Sequence, residues 1–148
     1  MKDYKKILIF TNKTETAEKL HLLLNKLGEE TELLSSSLDH DWKRTVMNPV
    51  RAVIGGSIPR LRIFSQRAFI TQQRSNAIKK LQNGKRKCLV CSDVAARGLD
   101  IDDCDIVINY DLAPLEAREA SHIHRSGRTA RAGSSGVCLT FTVSSFTE

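Results

Sequence analysis

Long apolar runs are what this sequence most plainly lacks. Its longest apolar stretches are only a few residues, far short of the length a helix needs to cross a bilayer, so no membrane partner is expected. No leader pattern opens it either: Met1-Lys2-Asp3-Tyr4 leads straight into a strand pattern, and an intracellular protein is the expectation. Acidic residues vanish between Trp42 and Ser92, while Lys and Arg occur there twelve times. That imbalance fits a polyanion partner; the alternative is a solvated, self-repelling basic face. A metal-ligand set is also missing. Cys88-x-x-Cys91 lies in a predicted strand, where positions three apart point to opposite faces and cannot share an ion. His122-x-His124 is a pair without further ligands, so the metal expectation is none. Internal repeats and low-complexity tracts are absent too.

What remains is ordinary globular material. At 148 residues, 41% hydrophobic and 27% charged with a net charge of +6, the chain reads as one soluble domain able to bury a core. Lys5 to Thr11 reads as a strand, too short an apolar run for a helix. Asn12 is a candidate cap for the next helix, with Glu15 three residues on. Ala17, Leu20, Leu23, Leu24 and Leu27 then recur at helical spacing, and Gly28 is the stop. Thr31 to Leu34 starts a second strand, and a β-α-β unit opens a parallel sheet.

From about residue 38 to 70 the pattern breaks. Pro49, Gly55-Gly56 and Pro59 stand among apolar and basic residues with no clean period. A structureless stretch this long is unusual inside a compact domain. It reads as a basic insertion looping out from the sheet, with three sources open: an RNA-binding insert, a disordered surface loop, or sequence from an unspliced intron. Regularity returns with a helix from Thr71 to Asn83-Gly84. A strand over Cys88 to Cys91, a strand over Asp105 to Tyr110, a helix around Leu115 to Ser126 and a last strand over Val137 to Val143 follow.

Two polar runs stand out against this frame. Ser92-Asp93-Val94-Ala95-Ala96-Arg97-Gly98-Leu99-Asp100-Ile101 follows one predicted strand. His124-Arg125-Ser126-Gly127-Arg128-Thr129-Ala130-Arg131 comes after another. Polar groups just beyond buried parallel strands project from the carboxyl edge, where α/β folds bind ligands. Arg128 and Arg131 are three apart, so on a helix they share a face and can converge on one anion. Guanidinium forks suit phosphate, and a nucleotide γ-phosphate is the natural ligand. The plain alternative is a solvated basic helix end.

The two runs resemble motifs V and VI of superfamily 2 helicases, specifically of DEAD-box RNA helicases, and the resemblance covers residues 5–34 and 71–143. It implies the C-terminal RecA-like domain: an α/β fold of the P-loop NTPase type, three layers, with helices on both faces of a mostly parallel sheet. It implies ATP and RNA as ligands. Arg128 and Arg131 match the arginine fingers, catalytic and nucleotide-facing. Asp100 matches the acid that accepts a hydrogen bond from the ribose, with Gly98 beside it. Thr11, Asn12, Arg74, Ser92 and Asp93 match positions on the RNA side, and Arg97, His124 and Arg125 match couplers between the two ligands; Asp93 belongs to that coupling group as well. For Asn12 the helix-cap reading stands beside the RNA reading. Gly127 and Gly133 read as backbone turns.

Departures from the family pattern are specific. Thr71 stands where the family has glutamine in the motif around Arg74, and the segment from Asp111 to His124 is about three residues longer than usual. No Gly-x-x-x-x-Gly-Lys-Thr loop and no Asp-Glu-Ala-Asp run occur, so Mg²⁺ and the β-phosphate are expected on an N-terminal RecA-like domain outside this chain. The expectation is therefore the C-terminal half of an ATP-dependent RNA helicase, unable to hydrolyse ATP alone. Its setting would be RNA unwinding or RNP remodelling, in a branch acting in ribosome assembly and located in the nucleus or nucleolus. The rival readings are a non-enzymatic RNA-binding or regulatory fragment, and a mis-spliced product that does not fold.

Overall fold

A computed structural model of the chain describes residues 4–35, 59–96, 101, 103–131 and 133–142. Five parallel strands form one sheet: β1 (Ile7–Thr11), β2 (Thr31–Leu34), β3 (Cys88–Ser92), β4 (Ile106–Asn109) and β5 (Val137–Thr140), in the order β2-β3-β1-β4-β5. The helices are α1 (Thr14–Lys26), α2 (Pro59–Gln82), the short α3 (Asp93–Ala96) and α4 (Arg118–Ser126). This is the doubly wound, RecA-like arrangement that the resemblance to the helicase family implies.

Strand alternation builds the layers. In β3, Cys88 and Val90 face one side while Leu89 and Cys91 face the other, and β1 divides Ile7 and Ile9 from Leu8 and Phe10 in the same way. α1 covers the first face with Ala17, Leu20 and Leu24. α2 covers the second with Ala77, Ile78 and Leu81, where Ala96, Ile101, Cys104 and Val107 complete the larger core. Both faces being buried explains why these strands read as continuous apolar runs. The opposed faces of Cys88 and Cys91 also follow from this alternation.

Four local expectations are corrected. Asn12 does not cap α1: Lys13 holds the cap position and makes no side-chain cap hydrogen bond. The Asn12 amide is drawn away to partners across the sheet edge, described below. Leu23 and Leu27 point outward at 53% and 70% exposure, because the buried strip of α1 is narrower than the leucine pattern. Its end is as expected, with Gly28 at φ +90° and the Glu29 amide donating back to Leu24 O at 3.0 Å. The segment from Leu115 begins as a 3-10 turn to Ala117 before α4 starts.

The fourth correction concerns the irregular stretch expected over 38–70. Its last third, from Pro59 on, is helical and continuous with the helix expected from Thr71; residues 38–58 lie outside the described residues. Proline is favoured in a first helical turn. Once the half packed on the sheet has formed, each residue added to a helix brings a hydrogen bond without a new nucleation cost. Extension toward Pro59 therefore needs no apolar period, and none is present to be read.

Candidate functional site

The connections of β1 and β4 leave the sheet in opposite directions, β1 toward β2 and β4 toward β5. The crevice between their carboxyl ends is the topological switch point where open α/β sheets bind ligands. Here a side chain fills it. Arg125, on the last turn of α4, is 2% exposed. Its Nε donates to Asp93 Oδ1 at 2.7 Å and its Nη2 to Asp93 Oδ2 at 2.5 Å, a bidentate fork. Nη2 also donates to Asn12 Oδ1 at 2.8 Å, and Nη1 to the Asp111 carbonyl at 2.7 Å. The guanidinium lies 5.4 Å from the Phe10 ring centroid. One residue thus ties the ends of β1, β3 and β4 to α4.

Asn12 takes part in the same network. Its backbone N–H donates to Asp111 Oδ2 at 3.1 Å and its Nδ2 to the Leu112 carbonyl at 2.6 Å. Thr11 is fully buried, and its hydroxyl donates to Lys13 O at 3.0 Å, with Cys91 O at 3.4 Å. Ser92 lies across from Thr11 in the β1–β3 register, 1% exposed. Ser92 Oγ and the Nε of Arg74 are buried polar atoms without a hydrogen-bond partner among the described residues. Arg74 sits one turn before Ile78 on α2, on the side that meets the sheet. A buried donor without an acceptor is costly unless something else accepts from it.

Arg128 and Arg131 are placed differently from the expectation. α4 ends at Ser126 with Gly127 as its cap, so the two arginines share no helical face. Thr129 between them forms a parallel bridge with Cys104, and its hydroxyl donates to the Cys104 carbonyl. Gly136 packs so closely on Thr129 that a Cβ there would collide with it. Cys104 and Gly136 precede β4 and β5, which sets the 128–131 arm toward the amino ends of those strands. The structure therefore separates the predicted residues into two groups. Thr11, Asn12, Ser92, Asp93 and the Arg125 side chain gather at the carboxyl edge, and Arg128 and Arg131 stand on a separate arm.

Within that arm Arg128 Nη2 lies 2.8 Å from His124 Nε2, and Arg131 Nε donates to Gly127 O at 2.6 Å. His124 and Arg131 are exposed and Arg128 is half-buried. Ala130 takes a left-handed backbone at φ +55°, which turns the chain between the two arginines. Arg97, Gly98 and Asp100 lie outside the described residues. Sequence reasoning missed Asp111, whose carbonyl and carboxylate serve Arg125 and Asn12. No local signal marks it; only its place after β4, opposite Asn12, could have done so.

Similarities to known proteins follow this geometry. The family model described as helicase conserved C-terminal domain matches residues 67–133. An ATP-dependent rRNA helicase, rrp3, of Emericella nidulans is 40% identical over 119 residues, covering 80% of this chain and 24% of that protein. The chain thus spans about a quarter of the length of such curated relatives. Among solved structures, the C-terminal domain of the DEAD-box protein Dbp5 matches with a TM-score of 0.67 and 28% identity, covering 96% of this chain and 63% of that one. Dbp5 of S. cerevisiae bound to RNA and ADP BeF3 matches with a TM-score of 0.65 and 29% identity, over 96% of this chain and 29% of that one. With the parallel sheet, the two polar runs and these relatives in agreement, the chain is a C-terminal RecA-like helicase domain of the DEAD-box family.

Proposed function

We propose that this domain serves as the C-terminal half of an ATP-dependent RNA helicase, gripping RNA by its backbone and completing a nucleotide site supplied mainly by another RecA-like domain. The observation that carries the reading is two buried donors without an acceptor among the described residues, Ser92 Oγ at the end of β3 and Arg74 Nε on α2. Phosphate oxygens are the acceptors such donors lack, and contacts of that kind give affinity without base readout. Thr11, Asn12 and Asp93 border the carboxyl edge. A relative whose structure holds RNA and ADP BeF3 shares the fold over nearly the whole chain, which favours both ligands here.

Arg128 and Arg131 fit the terminal phosphates of ATP by their chemistry: guanidinium stays charged and matches phosphate oxygens in pairs. In this reading they stabilise charge on the transferred phosphoryl group, Asp100 accepts a hydrogen bond from the ribose beside Gly98, and Arg97, His124 and Arg125 couple the two ligands. ATP supplies the phosphoryl group whose transfer to water drives the cycle. Mg²⁺ is assigned in this reading to an N-terminal RecA-like domain, since neither a Gly-x-x-x-x-Gly-Lys-Thr loop nor an Asp-Glu-Ala-Asp run occurs in this sequence. The relatives named as rRNA helicases favour a role in ribosome biogenesis and a nucleolar location.

The test is ATP turnover. This chain alone should show no RNA-stimulated hydrolysis, whereas the chain joined to a DEAD-box N-terminal RecA-like domain should. In the joined protein Arg128→Ala or Arg131→Ala should lower turnover by about 10³-fold with RNA binding kept. Strong hydrolysis by this chain alone would overturn the assignment of roles.

A further inference from the structure

We propose that Asn12, with Asp111, is a positioning residue: it acts through Arg125 to join the RNA edge of the domain to the arm that carries Arg128 and Arg131, and does not itself touch RNA. The proposal rests on the functional reading above and changes the role of one residue within it. The two groups of site residues lie apart, and Arg125 touches both. Its guanidinium grips Asn12, Asp93 and Asp111 at the carboxyl edge, while its carbonyl accepts the Arg128 N–H at 3.1 Å. The angle of Arg125 therefore sets where the arm begins.

Asparagine is the side chain this position requires. It must offer an acceptor to Arg125 Nη2 and a donor to the Leu112 carbonyl from the same planar group. Aspartate keeps the acceptor, loses the donor and adds a carboxylate beside Asp93 and Asp111. Alanine loses both. With its carbonyl oxygen and a donor already committed at 2.8 and 2.6 Å, the Asn12 amide is held inside the protein network. Asp111 completes the clasp from the other side of the crevice, its carboxylate holding the Asn12 backbone N–H.

The experiment has two arms. In this chain, labelled with ¹⁵N, exchange of the Arg125 Nε–H proton is followed alongside titration of a single-stranded RNA. In the chain joined to a DEAD-box N-terminal RecA-like domain, ATP turnover is measured against RNA concentration. Asn12→Ala and Asp111→Ala should speed the Arg125 exchange and lower maximal turnover by up to about 10²-fold, the scale of a small misplacement of catalytic groups. RNA affinity of this chain should change less than about twofold, in contrast to a lost charge-assisted phosphate bond, which costs about tenfold or more. Asp111→Asn keeps an acceptor for the Asn12 N–H and should restore both readouts toward wild type.

A fall in RNA affinity matching the fall in turnover would overturn the proposal in favour of a direct RNA contact. Unchanged Arg125 exchange in Asn12→Ala would overturn it as well. Should the joined wild-type protein show no RNA-stimulated turnover, the functional reading fails, and the exchange arm alone then decides whether Asn12 holds Arg125.

Discussion

Arg125 and Asp93 meet end to end, two guanidinium nitrogens on two carboxylate oxygens at 2.7 and 2.5 Å, in the crevice where the sheet changes direction. The fork closes a gap between α4 and the segment that follows β3. It stands where doubly wound folds ordinarily admit a ligand, so this domain uses its switch point as a joint between the strand ends and α4.

That joint should be costly to break. Arg125→Ala leaves the Asp93 carboxylate, the Asn12 carbonyl and the Asp111 carbonyl without their donor, and removing one partner of a buried pair costs about 3–5 kcal/mol. Arg125→Lys keeps the charge but cannot fork, so it should fall between alanine and wild type. Denaturant midpoints of the three proteins measure the order. An alanine variant as stable as wild type would mean the pair is dispensable to the fold.

Ser92 should behave in the opposite way. Its hydroxyl is buried and without a partner among the described residues, so Ser92→Ala removes a desolvation penalty and should leave stability unchanged or raise it by about 1 kcal/mol. RNA affinity should nevertheless drop, and wild-type binding should be insensitive to base sequence and steeply weakened by salt. Titrations of two unrelated single strands at several salt concentrations give both slopes. Loss of stability in the alanine variant would show that the hydroxyl has a protein partner after all.

Strands, their order of appearance and the helix of β1–α1–β2 were legible from apolar runs, because burial on both faces leaves a mark on every residue of such strands. Ser92, Asp93 and Arg125 of the carboxyl edge were legible too, as members of the two polar runs. What was not legible is long-range. Nothing near Asn12 in sequence says that its amide will reach Leu112 and Arg125 instead of the first turn of α1, since a capping pattern is local and the competing partners lie about a hundred positions away. Arg128 and Arg131 misled for the same reason: their spacing suits a helix, but the Thr129–Cys104 bridge ends it. The helical half of the 59–82 segment that lacks an apolar stripe carried no periodic signal at all.

His21 gives a pH dependence. Burial lowers its pKa below the ordinary 6.5, with the nearby Glu32 charge partly opposing that shift. Its Nδ1 lies 2.6 Å from Thr31 Oγ1, a contact that the neutral ring can accept from the hydroxyl. A histidine with a depressed folded pKa binds fewer protons folded than unfolded, so its contribution is complete above pH 6.5 and is lost as pH falls toward the folded value. Stability should therefore decline on acidification through that window, and His21→Gln should flatten the decline. Thermal midpoints from pH 7.5 to 5 measure it; a parallel decline in the variant would assign the effect to other groups.

The cysteines give the last prediction, and it reports on the sheet. None of the four is in a disulfide; Cys88, Cys91 and Cys104 are buried and Cys138 is exposed. Burial pushes the Cys88 thiol up to about 12 and the Cys91 thiol higher still, so neither forms an appreciable thiolate near neutral pH. Cys138 is raised as well, by partial burial against the bonds from Asn109 and Thr140 that favour the thiolate, and should react more slowly than a thiol on an unfolded chain. N-ethylmaleimide should therefore modify one site on the folded protein and all four after denaturation, and Cys138→Ser should abolish the folded-state product. Because Cys88 and Cys91 sit in the strand between β1 and β2, their labelling rate measures how often the sheet opens. Modification of Cys91 as fast as Cys138 would mean that β3 separates from its neighbours readily, and that the carboxyl edge built on it is not a rigid platform.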